Sequence, residues 1–96
     1  MTCLDGVTVR LSGEHDISTA PEVTDRINSA LRTGARCVGI DLDQVTFLDA
    51  GFLGALVRGR NRCVAQGAQL VVSCSNDRLR RIFSLARLAH LLHDEP

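Results

Sequence analysis

Val7, Val9 and Leu11 alternate with Thr8, Arg10 and Ser12. A period of two predicts a strand with one buried and one wet face. The Asp5-Gly6 pair before it signals a tight turn, so Met1 to Leu4 is expected to supply only a stub, an antiparallel edge strand. After Gly13 the period lengthens. Val23, Ile27, Ala30 and Leu31 recur at helical spacing, with Ser18 or Thr19 as the cap, Pro21 in the first turn and Glu22 near the positive helix end. Gly34 is a natural stop.

Cys37 to Leu42 predicts a second strand, with Val38, Ile40 and Leu42 inward and Cys37, Gly39 and Asp41 outward. The apolar run Val45 to Leu48 leads into Asp49-Ala50-Gly51. A second helix is predicted over roughly Phe52 to Gln66, with Leu53, Leu56, Val57 and Val64 on its apolar stripe. Gly67 ends it, and Gln69 to Cys74 predicts a third strand. Ser75, Asn76 or Asp77 caps a last helix with apolar positions Leu79, Ile82, Phe83 and Ala86. A weaker apolar tail, Leu88 to Leu92, adds a short turn or helix. Strands alternating with helices imply a parallel sheet with right-handed crossovers. The fold class expected is therefore α/β: a small, mostly parallel β-sheet with helices packed mainly on one face, residues 1–96 forming a single domain.

Composition narrows the function classes. Hydrophobic residues make up 45% of the 96 positions, but aromatics only 3%, so small aliphatic side chains must fill the core. Lys and Arg total 11, as do Asp and Glu, a balance that argues against direct nucleic-acid binding. No apolar run is long enough for membrane insertion and no signal peptide is evident at Met1, so a cytoplasmic location is expected. Cys3, Cys37, Cys63 and Cys74 form no CxxC pair and lack histidines at ligand spacing, so no metal is expected. Reduced thiols, buried as small hydrophobes, are the favoured reading. In parallel strands, a link between Cys37 and Cys74 would have to cross about 16 Å, against the roughly 7 Å that a disulfide allows. Cys3, near the N-terminus, is the thiol best placed to react.

Candidate chemistry is sparse. No phosphate loop is present: Gly51-Phe52-Leu53-Gly54 lacks the following Lys. Glu14-His15-Asp16 reads as a solvated loop triplet, and His90 and His93 lie in the tail. No catalytic residue and no cofactor are expected. Asp49 precedes a helix and reads first as an N-cap.

Two segments together carry a family resemblance. Leu11-Ser-Gly-Glu-His-Asp-Ile-Ser-Thr-Ala-Pro-Glu-Val23 resembles the LSGELDxxTAPEL stretch of STAS domains, and Val45-Thr-Phe-Leu-Asp-Ala-Gly-Phe-Leu-Gly-Ala-Leu56 resembles their VTFIDSSGLGxL motif. Arg80-Arg81-Ile82-Phe83 matches more loosely. The resemblance implies a regulatory protein like the bacterial anti-sigma-factor antagonists, which bind an anti-sigma factor or a related regulatory protein. Their kinase partner phosphorylates the Ser after the motif aspartate. Here that phosphoacceptor position is Ala50, which has no hydroxyl, so the resemblance implies a protein not switched there. Gly51 stands where Ser or Thr is frequent, and Phe52 where Gly is usual; Phe52 is equally an exposed anchor or a core residue. The implied partner-binding residues are Asp16, Ile17, Ser18, Thr19, Asp49, Ala50, Gly51 and Phe52. The short N-terminus leaves an exposed strand edge able to pair with a second copy as a homodimer. The alternative function is a non-switching STAS accessory subunit of a signalling scaffold or a lipid-transport ABC complex.

Overall fold

The computed structural model describes residues 6–92. Three strands and three helices alternate: β1 (Gly6–His15), α1 (Ala20–Arg32), β2 (Cys37–Leu48), α2 (Ala50–Ala65), β3 (Gln69–Ser73) and α3 (Asp77–Leu85), followed by a 3-10 turn at Ala89–Leu91. The strands lie in the order β1-β2-β3, each pair parallel. This is the α/β arrangement expected. Each crossover contains a helix because a parallel pair cannot be joined by a tight turn.

Val9 and Leu11 from β1, Val38, Ile40 and Leu42 from β2, and Leu70 and Val72 from β3 form the inward face of the sheet. Val23, Ile27, Phe52, Leu53, Leu56, Leu79 and Phe83 complete the same cluster from the helices. The opposite face carries Arg10, whose guanidinium lies 3.8 Å from Asp41, an exposed pair that contributes little to stability. Between α1 and α2 the approach is close. A Cβ added to Gly59 would stand 2.7 Å from Ile27 Cδ1, and Arg62 donates to the Asn28 side-chain oxygen across the same interface.

Several sequence expectations are corrected. β1 runs past its predicted end at Ser12 to His15, and β2 runs past Leu42 through the apolar run Val45 to Leu48. Val7 is 38% exposed rather than buried, because it lies at the lip of a groove walled by the polar or small α1 residues Asp25, Arg26, Ser29, Ala30 and Thr33. α2 begins two residues earlier than predicted. Its inward side is Phe52, Leu53, Ala55, Leu56, Gly59 and Cys63, so Val64, about 100° further round, faces solvent. Ala86 is exposed because α3 ends at Leu85. The expected N-terminal stub and its turn, Cys3 and His93 lie outside the described residues.

The cysteines divide. Cys63 and Cys74 are free and buried, and burial pushes both thiols up from their ordinary value. Cys37 is disulfide-bonded, contrary to the expectation of reduced thiols throughout, and its partner is neither Cys63 nor Cys74. The parallel register sets Cys37 opposite Gln69 and Asp41 opposite Ser73, so Cys74 follows the far end of β3.

Gly59→Val tests the α1–α2 contact. The larger side chain must displace Ile27, which is fully buried, so stability should fall by about 1–3 kcal/mol, the usual cost of overpacking. Urea unfolding measures it; an unchanged midpoint would show that the interface has slack.

Candidate functional site

Both motif segments emerge at the carboxyl end of the sheet because β1 and β2 are parallel and end opposite each other, His15 against Leu48. Reaching that register takes two irregularities. Between Arg10 and Ser12, and again between Gly13 and Glu14, β2 advances one residue more than β1. Bulges of this kind re-aim side chains and increase local twist. Here they leave Leu48 and His15 buried and Phe47 half exposed.

The loop after β1 is a compact turn. The Asp16 carboxylate accepts hydrogen bonds from the Ser18 N–H at 2.9 Å and the Ser18 hydroxyl at 2.5 Å. The Ser18 hydroxyl, then its backbone N–H, hold the Asp16 carboxyl below the usual carboxylate range. The sign follows: this turn is favoured above the ordinary carboxylate range and loses that support as pH falls through the depressed value. Thr19 occupies the N-cap position of α1, yet its side chain makes no cap bond. Its hydroxyl turns back to Asp16 and His15 instead: it accepts from the Asp16 N–H and donates to the Asp16 carbonyl, both at 3.1 Å, and lies 3.0 Å from His15 Nδ1.

The loop after β2 is shorter. Asp49 is extended, and its carboxylate accepts from the Phe52 N–H at 2.9 Å, as an N-cap does. Ala50 is exposed at the head of α2. Phe52 is fully buried, which decides between anchor and core in favour of core. Its ring meets that of His15 with centroids 5.0 Å apart and planes inclined by 43°.

The two loops touch through Ile17 and Gly51. A Cβ at residue 51 would stand 2.9 Å from both Cβ and Cδ1 of Ile17, so glycine permits the approach. Ile17 itself is 63% exposed. It also borders a shallow groove with Ala20, Pro21, Thr24, Asp25 and Arg58. At this end of the sheet Ile17, Ser18 and Ala50 are exposed, and Asp16, Thr19, Asp49 and Gly51 are half-buried. Phe52 lies in the core behind them.

His15 is the residue that sequence reasoning misplaced. It is 5% exposed, not a solvated loop residue, because β1 continues through it. The signal was available in the alternation, since Leu11, Gly13 and His15 share a parity and Leu11 is inward. Phe47 and Arg58 were not anticipated at this end either. Among the described residues no group of three or more His, Cys, Asp or Glu side chains converges on a metal site. Nor is any described helix long and apolar enough to cross a membrane.

Comparison with known proteins agrees with this fold. The sequence model of the family described as "Mlab, STAS domain" matches residues 4–93. The anti-sigma-B factor antagonist of Staphylococcus aureus is 27% identical over 85 residues, which cover 88% of this chain and 79% of that protein. An anti-sigma factor antagonist from Mycobacterium paratuberculosis, known as a crystal structure, is 27% identical. It superposes with a TM-score of 0.79 over 96% of this chain and 80% of its own. The anti-sigma factor antagonist SpoIIAA in its unphosphorylated form shares the fold at 17% identity, with a TM-score of 0.80 over all of this chain and 85% of its own.

Asp49→Ala should remove the α2 cap and cost about 1 kcal/mol, within the 0.5–2 kcal/mol range of such losses. Chemical denaturation measures it. A loss near zero would show that water replaces the carboxylate at the Phe52 N–H.

Proposed function

The chain belongs to the STAS domain family, and from that premise we propose that it is a non-enzymatic regulatory protein that binds an anti-sigma factor or a related regulatory protein. Residues 1–96 act as one STAS unit, working in the cytoplasm without cofactor or nucleic acid. The observation that carries the reading is the close approach of Ile17 to Gly51, which brings the two motif segments together next to the exposed Ala50. The names of the Staphylococcus and Mycobacterium relatives support the kind of partner.

Ala50 gives this reading its particular form. A phosphate adds about −1.5 to −2 charges, enough to expel a partner from a packed surface. Without a hydroxyl at residue 50 the surface stays in one charge state, and binding is constitutive there. Ala50 equally favours a second reading, a non-switching accessory subunit of a signalling scaffold or a lipid-transport ABC complex. The protein recovered with this chain from its source organism distinguishes the two: an anti-sigma kinase supports the first, transporter subunits the second. Among the described residues β1 is an edge strand, the edge that a homodimer formed by strand pairing would use.

Ala50→Asp places a fixed negative charge at the centre of the surface. Partner affinity should fall by about 1–3 kcal/mol, by like-charge repulsion and desolvation. Calorimetric titration against the recovered partner measures the loss, with circular dichroism as the check on folding. Undiminished affinity in a folded variant would place the partner surface elsewhere. In the native chain, incubation with the cognate kinase and ATP should leave residue 50 unmodified by mass spectrometry. Stoichiometric phosphate on Ser18, Thr19 or Thr46, coupled to loss of binding, would mean that the switch has moved.

A further inference from the structure

We propose that the groove between α2 and α3 is a docking site for a short acidic amphipathic helix of another protein. This goes beyond the reading above and does not rest on it, because the groove runs along the helical layer and not over the two motif loops.

Topology places the groove. α3 lies on the same side of the sheet as α1 and α2: Leu79 and Phe83 join the core cluster of Leu70 and Val72, whereas Gln69 and Ser73 on the other side of β3 stay exposed. Each helix returns against the direction of the parallel strands, so the three helices run parallel to one another. α2 meets α1 through one flank, where Arg62 donates to the Asn28 side-chain oxygen and Arg58 borders the same groove as Ala20 and Thr24. Its other flank turns toward α3. The α1–α2 pair is closely packed, and α2 and α3 are not.

Helical spacing decides which side chains line the groove. Leu56, Gly59 and Cys63 of α2 are buried against the sheet. At about 100° per residue, Val57, Arg60 and Val64 then fall on the flank away from Arg58 and Arg62. On α3, with Leu79 and Phe83 inward, the same construction puts Arg78, Ile82 and Leu85 on the flank toward α2. Val57 and Ile82 are half-buried and pack against the core, so they form the floor. Val64 is 55% exposed and Leu85 78%, aliphatic side chains that folding leaves in water. Arg60 and Arg78 are exposed. Each wall thus offers two aliphatic side chains and one guanidinium within two helical turns, about 10 Å.

Charge decides the occupant. Residues 50–92 hold seven arginines against one carboxylate, Asp77, whereas residues 6–49 hold four arginines against seven carboxylates. The net charge of zero conceals a basic half, and the groove lies within it. A helix laid in a groove presents an apolar stripe to the floor. Here arginines on both walls call for carboxylates on both sides of that stripe, and guanidinium–carboxylate pairs add geometric specificity. A second copy of the chain does not fit. α1 exposes Glu22 and Asp25, but its apolar positions Val23, Ile27, Ala30 and Leu31 are spent on its own core. A lipid surface takes apolar side chains that protrude, whereas Val57 and Ile82 are recessed.

The probe is a synthetic peptide of about eleven residues, or three turns, with leucines along one side and glutamates elsewhere. Titrated into isotope-labelled full chain and followed by NMR, it should shift the signals of Val57, Arg60, Val64, Ile82 and Leu85 together, and leave those of Ile17 and Ala50 in place. The same peptide with lysine for glutamate should bind at least about tenfold more weakly. Arg60→Glu combined with Arg78→Glu should reverse that order. Both positions are exposed, so the core is untouched, and circular dichroism checks the fold. Leu85→Ser should weaken the acidic peptide while keeping the preference for it. Absence of shifts along the two rows at millimolar acidic peptide, equal binding of the two peptides, or an unreversed preference in the folded double variant would overturn the proposal. Phosphatidylglycerol vesicles that protect the same side chains, when the peptide does not, would overturn it too and make the groove a lipid site.

Discussion

Parallel pairing of β1 with β2 is the constraint on which the rest of this molecule depends. Parallel strands direct their carboxyl ends to one edge of the sheet, so the loops that follow them must leave side by side. With β2 two residues longer than β1, the register would drift without compensation. The two irregularities absorb the excess and set His15 against Leu48. Had either been absent, the alternation beyond it would be inverted and a residue now in the core would face water.

From that register the surface is assembled by small residues and local turns. Asp16 and Asp49 have similar chemistry but different work. Asp16 spends its carboxylate on Ser18 within the turn, whereas Asp49 starts α2 through the Phe52 N–H. Gly51 then lets Ile17 close on the helix. The outcome is an exposed aliphatic side chain set against the backbone of Gly51.

The departures from the STAS pattern are not independent of one another. His15 replaces a motif Leu and Phe52 replaces a motif Gly, and in the fold these two rings touch. Gly51 stands where a hydroxyl residue is frequent, and it is the position against which Ile17 packs. Residue 50 is an alanine and carries no hydroxyl. In this chain the start of α2 is tied to the core by an aromatic contact and a hydrogen-bonded imidazole.

Much of this was legible in the amino-acid order. Alternation marked inward residues of β1 and β2, helical spacing marked Val23, Ile27 and Leu31, and Asp49 before a helix announced a cap. These features are local: a few neighbouring residues determine them through the periods of strand and helix and the unsatisfied N–H groups of a helix start. The remaining features were decided in three dimensions. Phe52 sits at a helix start, where either side was open, and the fold buries it in the core cluster with its ring against His15. His15 itself looks like a loop residue among Glu14 and Asp16 until β1 is seen to continue beside β2 as far as Leu48. Val7 and Val64 carry the right hydrophobicity for burial but lie where no described element covers them. Sequence by itself determined which face of each element is apolar. Tertiary structure decided what covers that face, because coverage depends on register and on the reach of side chains distant along the chain.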